Sequence, residues 1–503
     1  MNEISNNQGL AVRCCWRRTW RHSDDPRRKS RWERWLSECV AHGRGVTRRF
    51  EPEIGPVCLR LSKALVEDMK ADLRRPHPFA AERVGFLSVT TGRGEGGELL
   101  ILGLEYRPVR DNHYVEDLSV GVKIGVEAIR EAIDCIRVSR RGLFHVHLHE
   151  HHGMPDFSST DRSQQPRLVN SFRRVDGRVP HGMLVLSDDR ATAWVWLPGE
   201  SGQLRPRLIT IVGYPMTFIA PMGVPTRGGR GAEEGGRYSR QSFLGPESQM
   251  TIERVRVGVV GLGGGGSHVV QQVAHIGFAR VRGFDGDVAD ETNLNRLVGA
   301  RADDITGKAA KTEIAERVIR GLLPGADVVM HRGRWQDNSE LLRGCDIVIG
   351  CVDSFAARRE LEVACRRYLI PYIDIGMDVI QVDCEPPRMA GQVTLSMPGG
   401  PCMFCLGFLT EERLAKEAAR YGAAGGRPQV VWPNGVLAST AIGVAVDLVT
   451  GWTQQRDQVV YFSYDGNTGE VKPHVRLRYL SVHDCPHYSV ADLGDPVFRR
   501  ITI

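Results

Sequence analysis

Histidines are concentrated in residues 145–152, where five of eight side chains are imidazoles. Alternate residues of a strand project to the same face, so His145 and His147 can bind one metal ion together. Ser158 and Asp161 follow after a short loop. Two imidazoles and one carboxylate leave one position of a zinc ion open for water, which is the catalytic arrangement. A histidine-rich loop that binds metal without catalysis, or that is only solvated, is the alternative.

A glycine-rich turn at residues 261–266, between an apolar strand and a helix, predicts a second site. Glycine lets the backbone approach a phosphate, and the helix N-terminus offers free N–H groups. Asp285 ends the next strand, about twenty residues further on, and can accept hydrogen bonds from ribose hydroxyls. The pattern predicts a nucleotide site, and a glycine-rich turn without a ligand is the alternative. The predicted nucleotide-binding residues in this part are Gly261, Gly263, Gly264, Gly266, Asp285 and Asp287.

The polar residues that follow favour phosphoryl chemistry over hydride transfer. Asn293, Arg296 and Lys311 would neutralise phosphate charge beside the nucleotide, whereas a nicotinamide site needs no such charge at its reacting end. Asp353 comes just after another apolar strand. A carboxylate at that end of a parallel strand is well placed to hold Mg²⁺ on phosphate oxygens.

Composition excludes several classes of protein. Hydrophobic residues make up 42% of the 503 residues and charged residues 25%, which is typical of soluble globular proteins. We find no run of eighteen apolar residues and no apolar signal-peptide core, so we expect a cytoplasmic protein without a membrane-spanning helix. The net charge of +6 comes from residues 1–50, with twelve Lys/Arg against five Asp/Glu, and is weak support for nucleic-acid binding. Without export, the twelve cysteines are not expected to form disulfides.

The elements that must position these residues fall into four predicted segments: a poorly ordered basic tail rich in Trp and Arg (1–53), a mixed α/β domain (54–221), a glycine-rich linker (222–236) and a second α/β domain (237–503). In the first domain, strand-like runs are mixed with helices expected at 61–73 and 120–137. In the second, strands and helices alternate, with a helix expected over 305–322. This alternation predicts a doubly wound, Rossmann-like parallel sheet.

Six motifs of the second domain occur in an order that resembles the ThiF/MoeB/E1 superfamily, which activates ubiquitin-like proteins. They are RYSRQ (237–241), the glycine turn, DGD…NLNR, KTEIA, CVDS and Cys402-Met-Phe-Cys405. The resemblance spans about half of the chain. It implies ATP and Mg²⁺ as cofactors and adenylation of the C-terminal glycine of a ubiquitin-like protein.

The resemblance also implies roles by position: Asp285 for ribose, Asn293 and Arg296 for phosphates, Lys311 for the transition state, and Asp353 for Mg²⁺. Arg240 would reach the ATP of a partner subunit, which implies a homodimer. The spacing between Gly307 and the lysine is longer than in the family, so Lys308 is the alternative to Lys311.

Cys402 and Cys405 resemble the first half of that family's structural zinc site. The second half is normally another Cys pair, and here the late candidates are Cys485 and His487. Three thiolates and one imidazole suit Zn²⁺; a degenerate site without metal is the alternative. Some members also form a thioester, for which only Cys384 is a nearby candidate, so we do not expect a thioester step.

Residues 54–221 resemble the JAB/JAMM (MPN) metalloprotease family through Glu82, the His-x-His pair and Ser158-x-x-Asp161. The resemblance implies that Glu82 is the general base on a zinc-bound water and that Ser158 helps to stabilise the oxyanion; Glu105 is the alternative base. The chain has leucine where the family has proline after the second histidine, and the spacing from His147 to Ser158 is longer than the family's.

Together the resemblances imply a bacterial JAB–E1 fusion. It would adenylate a ubiquitin-like protein ending in glycine and also process or deconjugate it. Such fusions accompany conjugation systems, some of them in anti-phage defence, and an E2-like protein is then a further partner. The alternative is activation and maturation of a sulfur-carrier protein for thiamine, molybdopterin or cysteine synthesis.

Overall fold

The computed structural model describes residues 11–12, 52–76, 80–117, 121–221, 236–382, 384–419, 429–480 and 485–496. The predicted tail (1–53) and linker (222–236) lie almost entirely outside these ranges, so their expected character stays a prediction.

The strands, in chain order, are β1 (Ala11–Val12), β2 (Ile54–Ser62), β3 (Val84–Arg93), β4 (Leu99–Pro108), β5 (Val122–Lys123), β6 (Gly142–Leu148), β7 (His181–Leu186), β8 (Ala191–Trp196), β9 (Gln203–Val212), β10 (Thr217–Ile219), β11 (Arg256–Val260), β12 (Arg280–Asp285), β13 (Asp327–Arg332), β14 (Ile347–Gly350), β15 (Tyr372–Val382), β16 (Glu385–Ser396), β17 (Tyr461–Asp465) and β18 (Glu470–Pro473). The α-helices are α1 (Lys63–Leu73), α2 (Val126–Ser139), α3 (Ser159–Val175), α4 (Ser248–Arg254), α5 (Gly264–Ile276), α6 (Ala302–Thr306), α7 (Lys311–Leu322), α8 (Ser339–Arg343), α9 (Phe355–Arg367), α10 (Glu411–Ala419) and α11 (Val431–Thr450).

Packing divides the chain into two compact units. The first comprises Met1–Gly55, Asp72–Phe86 and Pro108–Arg205, and the second Pro56–Ala71, Leu87–Arg107 and Pro206–Ile503. This division differs from the predicted boundaries at 54–221 and 237–503, because β2, most of β4 and most of β9 belong to the second unit. The compact units are therefore discontinuous in sequence, which composition alone does not reveal.

The first unit is built on β6, β7 and β8. Strand β6 pairs with β7 in parallel and β7 pairs with β8 antiparallel. Every residue of β6 and β7 is buried, because α2 and α3 cover these strands. Two histidines therefore lie inside an otherwise apolar strand, where a polar group without a partner is costly.

The second unit contains a mixed sheet in the order β13-β12-β11-β14-β15-β16-β17-β18. The first five strands are parallel, and the register places Val260 beside Phe284 and Gly350. Strands β16 to β18 are antiparallel. The predicted Rossmann-like arrangement is confirmed for the parallel strands, and the antiparallel extension was not expected from the sequence.

Two local expectations are corrected. The single helix expected over 305–322 is two helices, α6 and α7, because Lys308 between them adopts a left-handed φ of 50°. Strand β2 was missed, although the five residues before Ser62 are buried. It pairs in parallel with β4 within the second unit.

Charged side chains join β4 and the turn before it to the sheet of the second unit. Arg282 Nε donates to Glu95 Oε2 at 2.8 Å, and Arg256 Nη1 lies 3.5 Å from Glu98 Oε2. Arg60 on β2 donates to the carbonyl oxygens of Tyr368 and Cys345, both at 2.9 Å. Leu100, Leu102, Leu208 and Val212 share one hydrophobic core with β11 and β14.

Among the described helices, α11 alone is long and apolar enough to meet the length and composition of a membrane span. However, 67% of its most apolar window is buried inside the protein. It packs against α5 and β15, so its apolar surface is explained by the core.

Candidate functional site

A cavity of about 630 Å³ lies at the carboxyl ends of β11, β12 and β14. It contains nine of the predicted nucleotide-site residues: Gly261, Gly263, Gly264, Asp285, Asp287, Asn293, Arg296, Lys311 and Asp353. Parallel strands end on the same edge of a sheet, which is where such folds bind ligands. The structure therefore brings the predicted set together.

The glycine turn needs its glycines for steric reasons. Gly261 has a left-handed φ of 86°, and a Cβ there would lie 2.7 Å from the carbonyl oxygen of Cys351. A Cβ on Gly266 would lie 1.9 Å from the carbonyl oxygen of Gly261. Gly266 does not line the cavity, so it closes the turn rather than facing a ligand. Helix α5 begins at Gly264, which leaves backbone N–H groups of its first turn directed towards the cavity.

Asp285 holds the turn in place. Its two carboxylate oxygens accept hydrogen bonds from the backbone N–H groups of Leu262 (2.7 Å) and Asp287 (2.8 Å). Burial raises the pKa of this carboxyl group. Its position at the cavity wall fits the predicted ribose contact, which stays a prediction.

The two candidate lysines differ in placement. Lys311 lines the cavity at the start of α7, and its Nζ lies 2.7 Å from Asp287 Oδ2. Lys308 is exposed and lies outside the cavity. The geometry thus favours Lys311 as the phosphate lysine.

The other predicted residues are distributed as follows. Asn293 is buried at the cavity wall, and Arg296 Nη1 donates to Asn295 Oδ1 at 3.0 Å. Asp353 lines the cavity and is exposed. The next residue, Ser354, is the N-cap of α9. Arg240 is exposed on a turn and does not line this cavity, and its role towards a partner subunit stays a prediction.

Sequence reasoning missed several cavity residues. Asn434 on α11 is buried, and its Nδ2 would lie 2.6 Å from a Cβ on Gly264. Arg358 on α9 pairs with buried Asp374 at 3.1 Å. Trp335 also lines the wall. For Asn434, the available signal was a side-chain amide in the first turn of the largely apolar α11.

Cys402, Cys405, Cys485 and His487 form a cluster in the second unit. One ligand atom from each lies within 4.8 Å of all the others. The Sγ atoms of Cys402 and Cys405 are 3.6 Å apart, and each lies 3.4 Å from His487 Nδ1. Tetrahedral zinc with Zn–S bonds of about 2.3 Å requires sulfur separations of about 3.8 Å. The four predicted ligands therefore fit Zn²⁺.

A second cluster, in the first unit, consists of His147, His149 and Asp161, again within 4.8 Å of one another. His147 Nε2 lies 3.6 Å from Asp161 Oδ2. Burial alone would lower the pKa of His147, but the carboxylates of Asp161 and Glu82 outweigh it and raise the pKa. Burial lowers the pKa of His149 to about 4, so its imidazole is neutral at neutral pH and can bind metal.

The cluster differs from the predicted ligand set, because it contains His149 and not His145. Strand β6 ends at Leu148, and the N–H of His149 donates to Leu186 O at 2.9 Å. His149 thus lies just beyond the strand, near the start of α3. His145 is fully buried beside Phe86, and burial lowers its pKa to about 3. With His149 as the second histidine of the pair, the spacing to Ser158 is two residues shorter than from His147, whose spacing is longer than the family's.

Ser158 and Asp161 form a capping box at the start of α3. Ser158 Oγ accepts from the N–H of Asp161 at 3.1 Å, and Asp161 Oδ2 accepts from the N–H of Ser158 at 2.8 Å. Gln165 Nε2 donates to the other oxygen of Asp161 at 2.5 Å. Cap and side-chain amide fix the orientation of the carboxylate, as outer-shell partners do for metal ligands.

Of the two candidate bases, Glu82 lies with the cluster. One of its carboxylate oxygens is fully buried, and its charge acts on His147. The side chain of Glu105 is 56% exposed and pairs with Arg107 at 3.0 Å. The geometry therefore favours Glu82.

The thioester candidate does not line the nucleotide cavity. Cys384 is exposed in the turn between β15 and β16, outside the cavity wall. Cys351 does line the cavity, but burial strongly raises the pKa of its thiol. A buried thiol with a raised pKa is a poor nucleophile.

Comparison with known proteins concerns the second unit. A model of the ThiF family matches residues 238–486. The chain is 34% identical over 175 residues to the SAMP-activating enzyme E1 of Haloferax volcanii, covering 34% of this chain and 61% of that protein. It is 31% identical over 183 residues to the adenylyltransferase and sulfurtransferase uba4 of Aspergillus terreus, covering 35% and 37%. It is 30% identical over 183 residues to the molybdopterin-synthase adenylyltransferase of Salmonella typhimurium, covering 35% and 69%. The chain thus spans less than two thirds of the first two relatives.

Proposed function

Since this chain belongs to the ThiF family, we propose that its second unit adenylates the C-terminal carboxylate of a small carrier protein ending in glycine. The observation that carries the proposal is the cavity where the glycine turn, Asp285, Arg296, Lys311 and Asp353 converge. A nucleoside triphosphate requires backbone N–H groups and cationic side chains for its phosphates, and its divalent cation requires a carboxylate. The cavity offers all three kinds of group.

In the proposed reaction, a carboxylate oxygen of the carrier attacks the α-phosphorus of ATP. The bond from that phosphorus to the bridging oxygen breaks, and pyrophosphate leaves with its electron pair. Lys311 and Arg296 would stabilise the charge that develops on the phosphate oxygens. Asp353 would hold Mg²⁺, which supplies further charge neutralisation when bound.

The relatives favour sulfur-carrier activation over conjugation as the use of the adenylate. One of them is a sulfurtransferase as well as an adenylyltransferase, and another serves molybdopterin synthase. The exposed Cys384 does not line the cavity, which agrees with a reaction that needs no thioester on this chain. Conjugation with an E2-like partner, a homodimer in which Arg240 completes the neighbouring site, and a cytoplasmic location remain proposals.

A second activity is proposed for the first unit: zinc-dependent hydrolysis of a peptide or isopeptide bond after the same terminal glycine. His147, His149 and Asp161 would hold Zn²⁺ with one position left for water. Zinc lowers the pKa of a bound water, and Glu82 would accept its proton and deliver it to the leaving amine. Such a unit would mature the carrier or remove it from a conjugate.

Pyrophosphate exchange tests the adenylation. We expect exchange between pyrophosphate and ATP only when a ubiquitin-like protein ending in Gly-Gly from the same genome is present. Asp353→Ala should reduce it by about 10²–10³-fold, the scale of losing one preorganised transition-state contact. The matched control is Asp303→Ala, which removes an exposed carboxylate outside the cavity wall. Exchange at the unaltered rate in Asp353→Ala would refute the assignment.

A further inference from the structure

Glu362 lies in the middle of α9 and is fully buried. A buried carboxylate is costly unless hydrogen-bonded, and Glu362 has two donors. The backbone N–H of Met403 donates to Oε1 at 2.8 Å, and the hydroxyl of Tyr488 donates to Oε2 at 2.9 Å.

The two donors lie on the two segments that carry the Cys402/Cys405/Cys485/His487 cluster. Met403 stands between the first two cysteines, and Tyr488 directly follows His487. These segments are 80 or more residues apart in the chain, and one carboxylate bonds to both. We propose that Glu362 is a positioning residue that holds the two ligand-bearing segments together and so sets the affinity of the cluster for Zn²⁺.

Neighbours on the same face of α9 support this role. The Arg366 guanidinium, one turn after Glu362, donates to Gly400 O at 2.9 Å and Pro401 O at 2.7 Å, just before Cys402. It also lies 5.1 Å from the ring of Tyr488. Arg359, one turn before Glu362, lies 5.9 Å from the ring of Phe404, which stacks on His487 at 5.3 Å.

The geometry has a definite energetic consequence. If the carboxylate is removed, the ligand segments lose their shared acceptor and the two donors are left without it, so the metal must order the loops itself. Outer partners of metal ligands typically change affinity by about 10–100-fold. The proposal goes beyond adenylation, and it holds whichever carrier the protein activates.

The test is a graded series in the full-length protein loaded with Co²⁺. Thiolate ligands give Co²⁺ a near-ultraviolet charge-transfer band, which a site of imidazole and carboxylate ligands lacks, so the cysteine cluster is read separately. Glu362→Met removes both acceptors and should weaken metal binding by about 10–100-fold. Glu362→Gln keeps an acceptor for Met403, and Tyr488→Phe removes one donor, so both should fall between Glu362→Met and the unaltered protein.

Val363→Ala is the control, since it changes an exposed side chain of the same helix. Chelator competition followed by the charge-transfer band gives each affinity, so the result does not depend on activity. Affinity within twofold of the unaltered protein in Glu362→Gln and Tyr488→Phe would overturn the proposal. An equal loss in Val363→Ala would overturn it too, because the effect would then belong to the helix as a whole.

Discussion

The two candidate metal sites differ in ligand number and in how they are enclosed. The cysteine cluster offers four ligand atoms, and His487 at its edge is exposed. The histidine cluster offers three, with His147 and Asp161 fully buried. Four protein ligands satisfy zinc and make a site structural, whereas three leave a position for water. The number of ligands therefore assigns a structural role to the cysteine cluster and a catalytic role to the histidine cluster. Burial alone would have suggested that the more buried histidine cluster is the structural one.

The largest effect is expected from removing one ligand of the four-ligand cysteine cluster. Cys405→Ser should remove one zinc per chain and lower the free energy of unfolding of the second unit by several kcal/mol, because binding of a structural zinc contributes about 10–16 kcal/mol in small zinc domains. Zinc analysis and thermal unfolding measure both effects. Cys384→Ser, an exposed cysteine outside the cluster, should change neither; an unchanged metal content in Cys405→Ser would mean that the cluster binds no zinc.

The next effect concerns the identity of the third ligand. His149→Ala should lose the metal of the first unit and with it the proposed hydrolysis. Removing a direct ligand should weaken metal affinity by more than the about 10–100-fold that follows from removing an outer partner. His145→Ala should retain most of the metal, because His145 is not among the three converging residues. Metal titration of both variants decides which histidine is the ligand. Loss of the metal in His145→Ala and its retention in His149→Ala would show that His145 and His147 are the ligand pair.

The smallest effect on metal binding is expected from the proposed base. Glu82→Gln should keep zinc and lower cleavage of a glycine-extended carrier by about 10²–10⁴-fold, because only the proton acceptor is lost. Glu105→Gln, which changes an exposed ion pair, is the control and should cleave normally. Normal cleavage by Glu82→Gln would remove the reason for treating the three-ligand site as catalytic.

Local motifs allowed much of the nucleotide site to be predicted. The glycine turn and Asp285 are joined by a hydrogen bond at 2.7 Å, and each follows a strand that the sequence shows clearly. Lys311 was harder, because the break at Lys308 depends on one left-handed residue. Asn434 reaches the site from a helix late in the chain, and no spacing rule connects it to Gly264.

The histidine register shows a different limit. The alternation of the strand places alternate histidines on one face, but which pair converges with Asp161 depends on where the strand ends. Leu148 is the last strand residue, and His149 lies beyond it. That end point is set by pairing with β7 and by the position of α3, which are tertiary features. The compact units likewise depend on contacts such as Arg282 with Glu95, which join distant parts of the chain.

Those contacts restrict how such a protein can be assembled in evolution or in the laboratory. A gene cut at the glycine-rich segment would yield a product from residue 236 onwards that lacks Glu95 and Glu98, two of the carboxylates that pair with Arg256 and Arg282. It would also expose the apolar surface that Leu100, Leu102, Leu208 and Val212 now cover, and large exposed apolar patches favour aggregation. The second compact unit therefore also includes residues 56–71, 87–107 and 206–221, so recombination at the glycine-rich segment would separate parts of one compact unit.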